Sequence, residues 1–419
     1  MPDTIELTEG EQPAEQPRVR VSSPASLLAV IPPLLGFEPS EPSLVVIGTA
    51  PPRAEVQITL RFDIPDASLA AAVADDAISY LARNCITTAA IVGYGPDSLV
   101  NPVAWEVLWR FPKAGITLTE ALRAHDQRYW SYVCQDPGCC PPEGTPFDAK
   151  AHTATAKLAG RPVLASRAAL AQTIAPVTGE EREAMSRATR RAEARARRLI
   201  REAGNRTGRK TWRRALYGPG LLAVAESITL YREGRSLASG SAAAWLALVL
   251  EDLPVRDDAW ARMNPHHGAA HLRLWTDVTR LAQPGYAAAP AALLAFTAWQ
   301  SGDGALANVA LDRALADQPA YSMAKLLRQA LDSGAPPSMA RLPMTPEEVA
   351  ASYGAMNGEE GGDGDGESQT EHDADDDQDH GKTAHSPNST GSPDEAAEAQ
   401  NPGSEGSDCA DEPVAGLLS

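Results

Sequence analysis

The hydrophobic pattern of the chain changes once, close to Lys150, and this change limits the folds available to it. Before that point, short apolar runs with strand-like alternation are mixed with Ala-rich segments at helical spacing. This mixture predicts an α/β domain with a mixed sheet over residues 22–150. Beyond it, apolar residues recur only at helical spacing. That pattern predicts an all-helical domain over 219–356, reached through a basic helical linker over 151–218.

The α/β domain is predicted to contain alternating helices and strands. Its first helix begins after Ser23, because Ser-Pro offers an N-cap followed by a proline in the first turn. A proline-rich connector between the first two strands favours a hairpin. The predicted elements are a helix over 25–35, strands over 43–48 and 55–62, a helix over 66–83, a strand over 86–94, a helix over 101–111, and strands over 116–124 and 128–133.

The helical part ends in a pattern typical of one tetratricopeptide repeat. Residues 288–321 match the second half of that repeat at Gly302, Ala307, Leu311, Ala314 and Pro319. Shifting the frame by one repeat length finds no second copy, so we expect a single tetratricopeptide-like helical hairpin within a bundle. The two helices of the hairpin are predicted over 289–301 and 304–317. The other predicted helices cover 163–175, 179–203, 219–233, 240–252, 255–263, 268–282 and 320–333.

Charge is concentrated at the C-terminal end. Residues 357–419 contain 18 Asp and Glu against one Lys, which supplies −17 of the net charge of −18. With almost no large apolar residues, this segment cannot offset its chain entropy by burial, so we predict a disordered acidic tail. Residues 1–21 are predicted to form a flexible arm. We find neither a signal peptide nor a membrane-spanning run in the sequence, which favours a cytoplasmic protein with reduced thiols.

Three cysteines in the proline-rich stretch 128–147 form the strongest candidate site. Cys134, Cys139 and Cys140 have the spacing C-x4-C-C. Their thiolates are suitable ligands for zinc. A thiol activated by a neighbouring cation is the second interpretation, and packing beneath a rigid turn is the third. The spacing leaves all three open. The candidates for a fourth metal ligand are His125, Asp126, Asp136 and His152.

Side chains on the preceding strands offer further candidates. Glu120 falls in the apolar phase of the predicted strand 116–124, where it would act as a general base or form a buried ion pair. Trp130 and Tyr132 share one face of the next strand. Stacking on a planar ligand, with Arg128 beside them, is one hypothesis for this pair, and a place in the core is the other.

The segment from Glu180 to Arg214 carries 13 Lys and Arg against 5 Glu. Arginine-rich helices contact phosphates, so its stretch 187–214 is a candidate nucleic-acid surface. A solvated face and a docking site for the acidic tail are the alternatives, because opposite charges in one chain attract at low salt. The candidate contact residues are Arg190, Arg191, Arg197, Arg198, Arg209 and Lys210.

Several motifs indicate a known family. They are Leu27-Leu-Ala-Val-Ile-Pro-Pro-Leu-Leu-Gly-Phe37, Arg128-Tyr-Trp-Ser-Tyr-Val-Cys134, Asp136-Pro-Gly-Cys-Cys-Pro-Pro-Glu-Gly-Thr-Pro146 and Leu293-Leu-Ala-Phe-Thr-Ala-Trp299. Over about residues 22–350, the chain resembles the actinobacterial domain-of-unknown-function family numbered 4192. The resemblance implies an actinobacterial cytosolic protein with this two-part layout, and it implies no particular activity.

Three functional hypotheses follow. The first is a regulatory or interaction protein, with a small-molecule or metal site near the cysteines and a helical domain that contacts a protein partner. The second is a thiol- or metal-dependent enzyme, a hydrolase or a transferase, that uses the same cysteines. The third is a nucleic-acid-associated protein acting through 187–214. We find no P-loop, no serine-nucleophile elbow and no His-Glu-x-x-His motif in the sequence, which lowers the weight of the enzyme hypothesis.

Overall fold

The computed structural model describes eight ranges of the chain: 21–50, 55–64, 66–148, 150, 163–207, 214–237, 239–339 and 344–356. The chain divides into two units, Met1–Ala355 and Met356–Ser419, and nearly all the described residues belong to the first. Apart from Val21, the predicted N-terminal arm lies outside the described residues, as does the predicted acidic tail over 357–419.

Six strands among the described residues form one mixed sheet, which confirms the predicted sheet type. They are β1 (Ser43–Ala50), β2 (Glu55–Asp63), β3 (Thr88–Tyr94), β4 (Thr117–His125), β5 (Arg128–Ser131) and β6 (Thr145–Pro146). Their order across the sheet is β2-β1-β3-β4-β5-β6. The β3–β4 pair is parallel and the other pairs are antiparallel. The sequence predicted β1 to β5, and it gave no signal for β6, which is too short to show a period.

Helices cover both faces of the sheet. The helices of the α/β region are α1 (Pro24–Leu35), α2 (Ala70–Arg83) and α3 (Asp97–Arg110). Along β1, Leu44 and Val46 join the core beneath α2 and α3, whereas Val45 and Ile47 join the core that includes α1. Because side chains alternate across a strand, β1 lies between two apolar layers and needs a continuously apolar sequence.

A β-bulge in β4 changes which side chains share a face. Leu118 pairs with Ala89 and Glu120 with Ala90, so the intervening Thr119 is an extra residue. Leu118 therefore packs with α2 and α3, while Leu122 packs in the opposite core. The predicted single apolar phase through this strand is wrong. Glu120 follows the bulge and shares the phase of Leu122.

Ten α-helices form the rest of the described chain. They are α4 (Arg167–Thr173), α5 (Gly179–Thr207), α6 (Arg214–Arg232), α7 (Gly240–Val249), α8 (Leu253–Ala261), α9 (Gly268–Leu281), α10 (Ala288–Gln300), α11 (Gly304–Asp317), α12 (Ser322–Asp332) and α13 (Pro346–Met356). This confirms the predicted helical region after the sheet. Most of its buried apolar side chains belong to the same core as α1 and one face of the sheet. Among the described helices, none combines the length and apolarity needed to cross a membrane.

The predicted helical hairpin is formed by α10 and α11. Gly302, between them, has a φ of 74°, a conformation that glycine adopts without strain. Asp303 caps α11, since its carboxylate accepts a hydrogen bond of 3.0 Å from the amide of Leu306. Ala307 and Ala314 are fully buried, which allows the two helices to approach closely.

Several helix boundaries differ from expectation, and the largest shift is at α6, which begins at Arg214 and not at Pro219. α3 begins at Asp97 and not at Asn101, so Pro102 lies inside the helix. α4 is shorter than the predicted helix over 163–175. The sequence analysis did not identify α13, although Thr345 and Glu348 form a reciprocal capping box there, at 2.7 and 3.2 Å. That T-x-x-E spacing was a usable signal.

Candidate functional site

The Cys loop, residues 132–144, connects β5 to β6 at one edge of the sheet. Two side chains of β5 attach its far end. The Trp130 indole N–H donates to the carbonyl of Pro142 at 3.0 Å. The Arg128 guanidinium donates to the carbonyls of Glu143 and Gly144 at 3.2 and 2.8 Å. Arg128 and Trp130, two of the three predicted ligand-binding residues, therefore stabilise the loop.

The loop also packs closely on the Trp130 ring. Gly144 has a φ of 81°, and a Cβ added there would lie 2.5 Å from the ring. On β4, the guanidinium carbon of Arg123 lies 3.7 Å from the centre of the same ring. The indole ring thus contacts both the loop and the Arg123 cation. Only glycine at position 144 leaves room for the loop to pack against the ring.

Asp136 shapes the turn that brings the cysteines together. Its carbonyl accepts hydrogen bonds from the amides of Cys139 and Cys140, at 3.0 and 2.7 Å. Its carboxylate accepts one from the amide of Gly138 at 2.9 Å. The sequence Asp-Pro-Gly favours such a turn, because aspartate bonds the backbone two residues on and proline fixes φ.

The three sulfur atoms form one cluster. The Sγ atoms of Cys134, Cys139 and Cys140 all lie within 4.8 Å of one another. All three are free thiols; Cys139 is exposed, and the other two are half-buried. The loop thus brings together three cysteines that lie within residues 134–140 of the sequence.

The thiols differ in acidity. Hydrogen bonds from the Cys140 thiol and from the backbone of Asp136 hold the pKa of Cys134 below its ordinary value. The pKa of Cys140 is raised to about 12, because its thiol donates a hydrogen bond to Cys134 and is partly buried. Of these two sulfurs, Cys134 therefore more readily becomes a thiolate, the form that binds metals and reacts.

Glu120 is linked to the loop through Ser131. The Ser131 hydroxyl donates to the Glu120 carboxylate at 3.2 Å. The Ser131 hydroxyl oxygen also accepts hydrogen bonds from the amides of Val133 and Cys134, at 3.3 and 3.1 Å. Glu120 also accepts the amide of Ala121 at 3.0 Å. These contacts position the start of the loop.

Tyr132 connects the loop to α3. Its hydroxyl donates to Asn101 at 2.5 Å, and its ring lies edge-on to Trp105 at 5.5 Å. Burial is the main cause that raises the pKa of Tyr132 to about 12. Trp105 and Trp109 remain 58% and 64% exposed, so an aromatic surface lies beside the loop. Their spacing of four residues on one helix was the signal for a shared face.

His125 lies apart from the sulfur cluster. It pairs with Arg128 at the start of β5, whereas Cys134 follows the end of that strand. Its Nδ1 is 2.9 Å from Glu41, and its Nε2 is 3.5 Å from Asp126. Among the described residues, no histidine or carboxylate joins the three cysteines as a ligand. His152 lies outside the described residues.

A cavity of about 180 Å³ adjoins His125 at the carboxyl ends of β3 and β4. Tyr94, Phe147 and Pro32 contribute to its walls. Ligands commonly bind at this position in open sheets. The volume is below the roughly 300 Å³ typical of a drug-sized ligand site, so the cavity is a weaker candidate than the sulfur cluster.

The basic candidates lie on α5. Arg190, Arg191, Arg197 and Arg198 are all exposed. Arg209 and Lys210 lie outside the described residues. Sequence reasoning did not assign roles to Ser131, Asn101 or Gly144, because their contacts depend on the three-dimensional arrangement of the loop.

Comparison with known proteins gives one result. A family model described as Domain of unknown function (DUF4192) matches residues 24–338, which is most of the chain. Neither the curated proteins nor the solved structures contain a match. The matched range includes the six described strands, the Cys loop and the helical hairpin. The chain therefore belongs to the DUF4192 family.

Proposed function

We propose that Cys134, Cys139 and Cys140 bind a thiophilic metal ion, with Zn²⁺ as the first candidate. The observation that carries this proposal is the approach of three sulfurs within 4.8 Å on one short turn. Three thiolates bound to one tetrahedral zinc, at Zn–S distances of about 2.3 Å, lie roughly 3.8 Å apart. A small contraction of the cluster would therefore form the site.

The charge of the cluster supports metal binding. The pKa of Cys134 is lowered, which favours this sulfur over Cys140 as the first to coordinate. An incoming cation would then displace the proton that Cys140 holds and would lower the pKa of that thiol as well. The Asp136 turn fixes both neighbouring cysteines before the metal arrives, which reduces the entropy lost on binding.

We propose a regulatory or interaction role for this site. Three thiolates leave one coordination position for water or for a side chain of a partner. Beside the loop, Trp105, Trp109 and Val133 expose apolar surface, as a protein-binding surface does. Metal loading would set the shape of the loop next to that surface. A partner would then recognise the loaded form.

The enzyme alternative has less support. A zinc hydrolase needs a base that can reach the metal-bound water. The Glu120 carboxylate already accepts hydrogen bonds from Ser131 and Ala121. Among the described residues, no carboxylate, Glu120 included, joins the sulfur cluster. A thiol-dependent transferase would use Cys134, whose pKa is lowered.

A cytosolic location is part of the proposal, because the site needs reduced thiols. The domain limits at 150 and 218 also remain proposals.

Zinc titration in competition with a chromophoric chelator tests the site. We expect one zinc per chain and loss of binding in C134S, C139S and C140S. Zinc at a hundredfold excess over its Kd should stabilise the fold by about 2.7 kcal/mol. The matched control is H125Q, because His125 pairs with Glu41 apart from the sulfur cluster and its replacement should not affect binding.

Two outcomes would remove the proposal. The first is that protein purified without chelator contains no zinc. The second is that added zinc does not slow the alkylation of the three thiols. Selective alkylation of Cys134 near neutral pH, in metal-free protein that binds no zinc, would support thiol chemistry in its place.

A further inference from the structure

A second surface, independent of the Cys loop, lies on α5. Its inner face is buried and consists of small or flexible side chains, among them Met185, Ala188, Ala192 and Ala196. Its outer face carries arginines at spacings of three, four and seven residues, which place them on one side of a helix. This arginine face consists of Arg187, Arg190, Arg191, Arg197, Arg198 and Arg201, all of them exposed.

The arginine face is weakly neutralised by the protein itself. Arg187, Arg197 and Arg198 each have a carboxylate four residues away, at N–O distances of 3.7 to 3.8 Å. Pairs of this length at an exposed surface contribute little stability. Glu193, which neighbours Arg197, also accepts the hydroxyl of Tyr286 at 3.0 Å.

Like charges three and four residues apart repel one another on a helix. Here that repulsion extends from Arg187 to Arg201, a length of about 21 Å at 1.5 Å per residue. The neighbouring Arg195 has a separate role, since its guanidinium carbon lies 4.0 Å from the centre of the Trp245 ring. The arginine face therefore favours an external polyanion.

We propose that the arginine face binds the phosphate backbone of nucleic acid. Each arginine presents a planar set of donors that matches a phosphate. Duplex DNA carries one negative charge per roughly 1.7 Å. The face is one side of a packed helix, so the contacts would be to phosphates and independent of sequence.

The acidic segment 357–419 is the alternative occupant that the test below distinguishes from nucleic acid. Its net charge of −17 over 63 residues is one negative charge for about every four residues. Extended, this corresponds to roughly one charge per 13 Å, a far lower charge density than that of DNA. Nucleic acid is therefore the stronger ligand, and the tethered acidic segment would weaken its binding.

Fluorescence anisotropy with a labelled, mixed-sequence duplex DNA tests the proposal across a series of salt concentrations. We expect the full chain to bind at low salt, and a chain ending at Met356 to bind severalfold more tightly. In the truncated chain, the triple variant R187Q/R190Q/R198Q should bind at least about tenfold more weakly. Its salt dependence should decrease by about 0.9 in slope for each phosphate that the variant no longer neutralises.

The matched control replaces three exposed cations outside α5, in the variant K150Q/R235Q/K325Q. It removes the same charge and should bind nearly as tightly as the unmodified truncated chain. The proposal is overturned if the truncated chain shows no salt-dependent binding. Equal loss of affinity in the two triple variants would also overturn it, because net charge would then explain the binding.

Discussion

The Cys loop and the α10–α11 hairpin both reverse the chain direction, yet different interactions stabilise them. In α10 nearly every side chain is buried, and Leu293 and Leu294 are fully so. In the Cys loop the cysteines are exposed or half-buried. Its conformation depends on hydrogen bonds from Arg128 and Trp130 to loop carbonyls.

This difference explains how the molecule keeps reactive atoms accessible. A hairpin closed by apolar packing must bury its side chains, and burial leaves little for a ligand to contact. A loop held by polar contacts to its backbone leaves its remaining side chains accessible. Stability should therefore respond strongly to substitutions in the hairpin, whereas ligand binding should respond to substitutions in the loop.

The largest effect is expected in the apolar hairpin. Leu311→Ala should lower the free energy of unfolding by about 3 kcal/mol, because it leaves a cavity at a fully buried position. The matched control is Leu222→Ala on α6, where the side chain is 59% exposed and the change should stay within about 0.5 kcal/mol. Urea unfolding measures both. Equal losses would show that packing does not distinguish these positions.

Acid should destabilise the helical region through His271 on α9. Burial, with His267 and Arg232 adding positive charge, lowers its pKa from 6.5 to about 4. Its Nε2 accepts the amide of Asn264 at 3.5 Å, which requires the neutral ring. Between pH 6.5 and about 4 the unfolded chain binds this proton and the folded chain does not. Stability is therefore highest above pH 6.5 and falls by up to about 3 kcal/mol as the pH approaches 4.

Urea unfolding of His271→Gln across this range checks the prediction. The variant should lose this part of the pH dependence, and His266→Gln, at an exposed position, should retain it. A variant whose stability falls as steeply as that of the unmodified chain would contradict the assignment to His271.

Substitutions at two glycines allow the Cys loop and the α10–α11 turn to be compared directly. Gly144 and Gly302 both have positive φ, at 81° and 74°, but an added Cβ meets the Trp130 ring only at Gly144. Gly302→Ala should cost about 1 kcal/mol of stability from backbone strain. Gly144→Ala should cost about 2 kcal/mol and should also weaken zinc binding, because the loop must move. Unchanged zinc affinity in Gly144→Ala would separate the Trp130 contact from the metal site.

The smallest effect concerns the start of the Cys loop. Ser131→Ala removes the acceptor for the amides of Val133 and Cys134 and should cost about 1 kcal/mol. Zinc affinity should fall severalfold. The control is Ser79→Ala on α2, where the exposed hydroxyl bonds only within its own helix. Chelator competition measures zinc affinity, and urea unfolding measures stability. Ser131 has a positioning role if Ser131→Ala loses more zinc affinity than Ser79→Ala.

The helices were predictable because glycine and proline separate their apolar patterns. α11 begins and ends at the residues the pattern indicates, 304 and 317. The β-bulge at Thr119 was not predictable, since an inserted residue leaves the local composition unchanged while reversing the faces. The proximity of the three cysteines could be predicted from their short spacing in the sequence. Their distance from His125 could not, because it depends on which end of β5 each residue occupies.

The short strand β6 has a consequence for the chain in concentrated solution. It is the last strand of the sheet, and it consists of Thr145 and Pro146. Proline has no amide hydrogen to donate, and two residues offer little length for another chain to pair with. By pairing with β5, β6 limits the recruitment of further strands at this edge of the sheet. Deleting Thr145 and Pro146 would expose the edge of β5, and we expect the chain then to self-associate at high concentration.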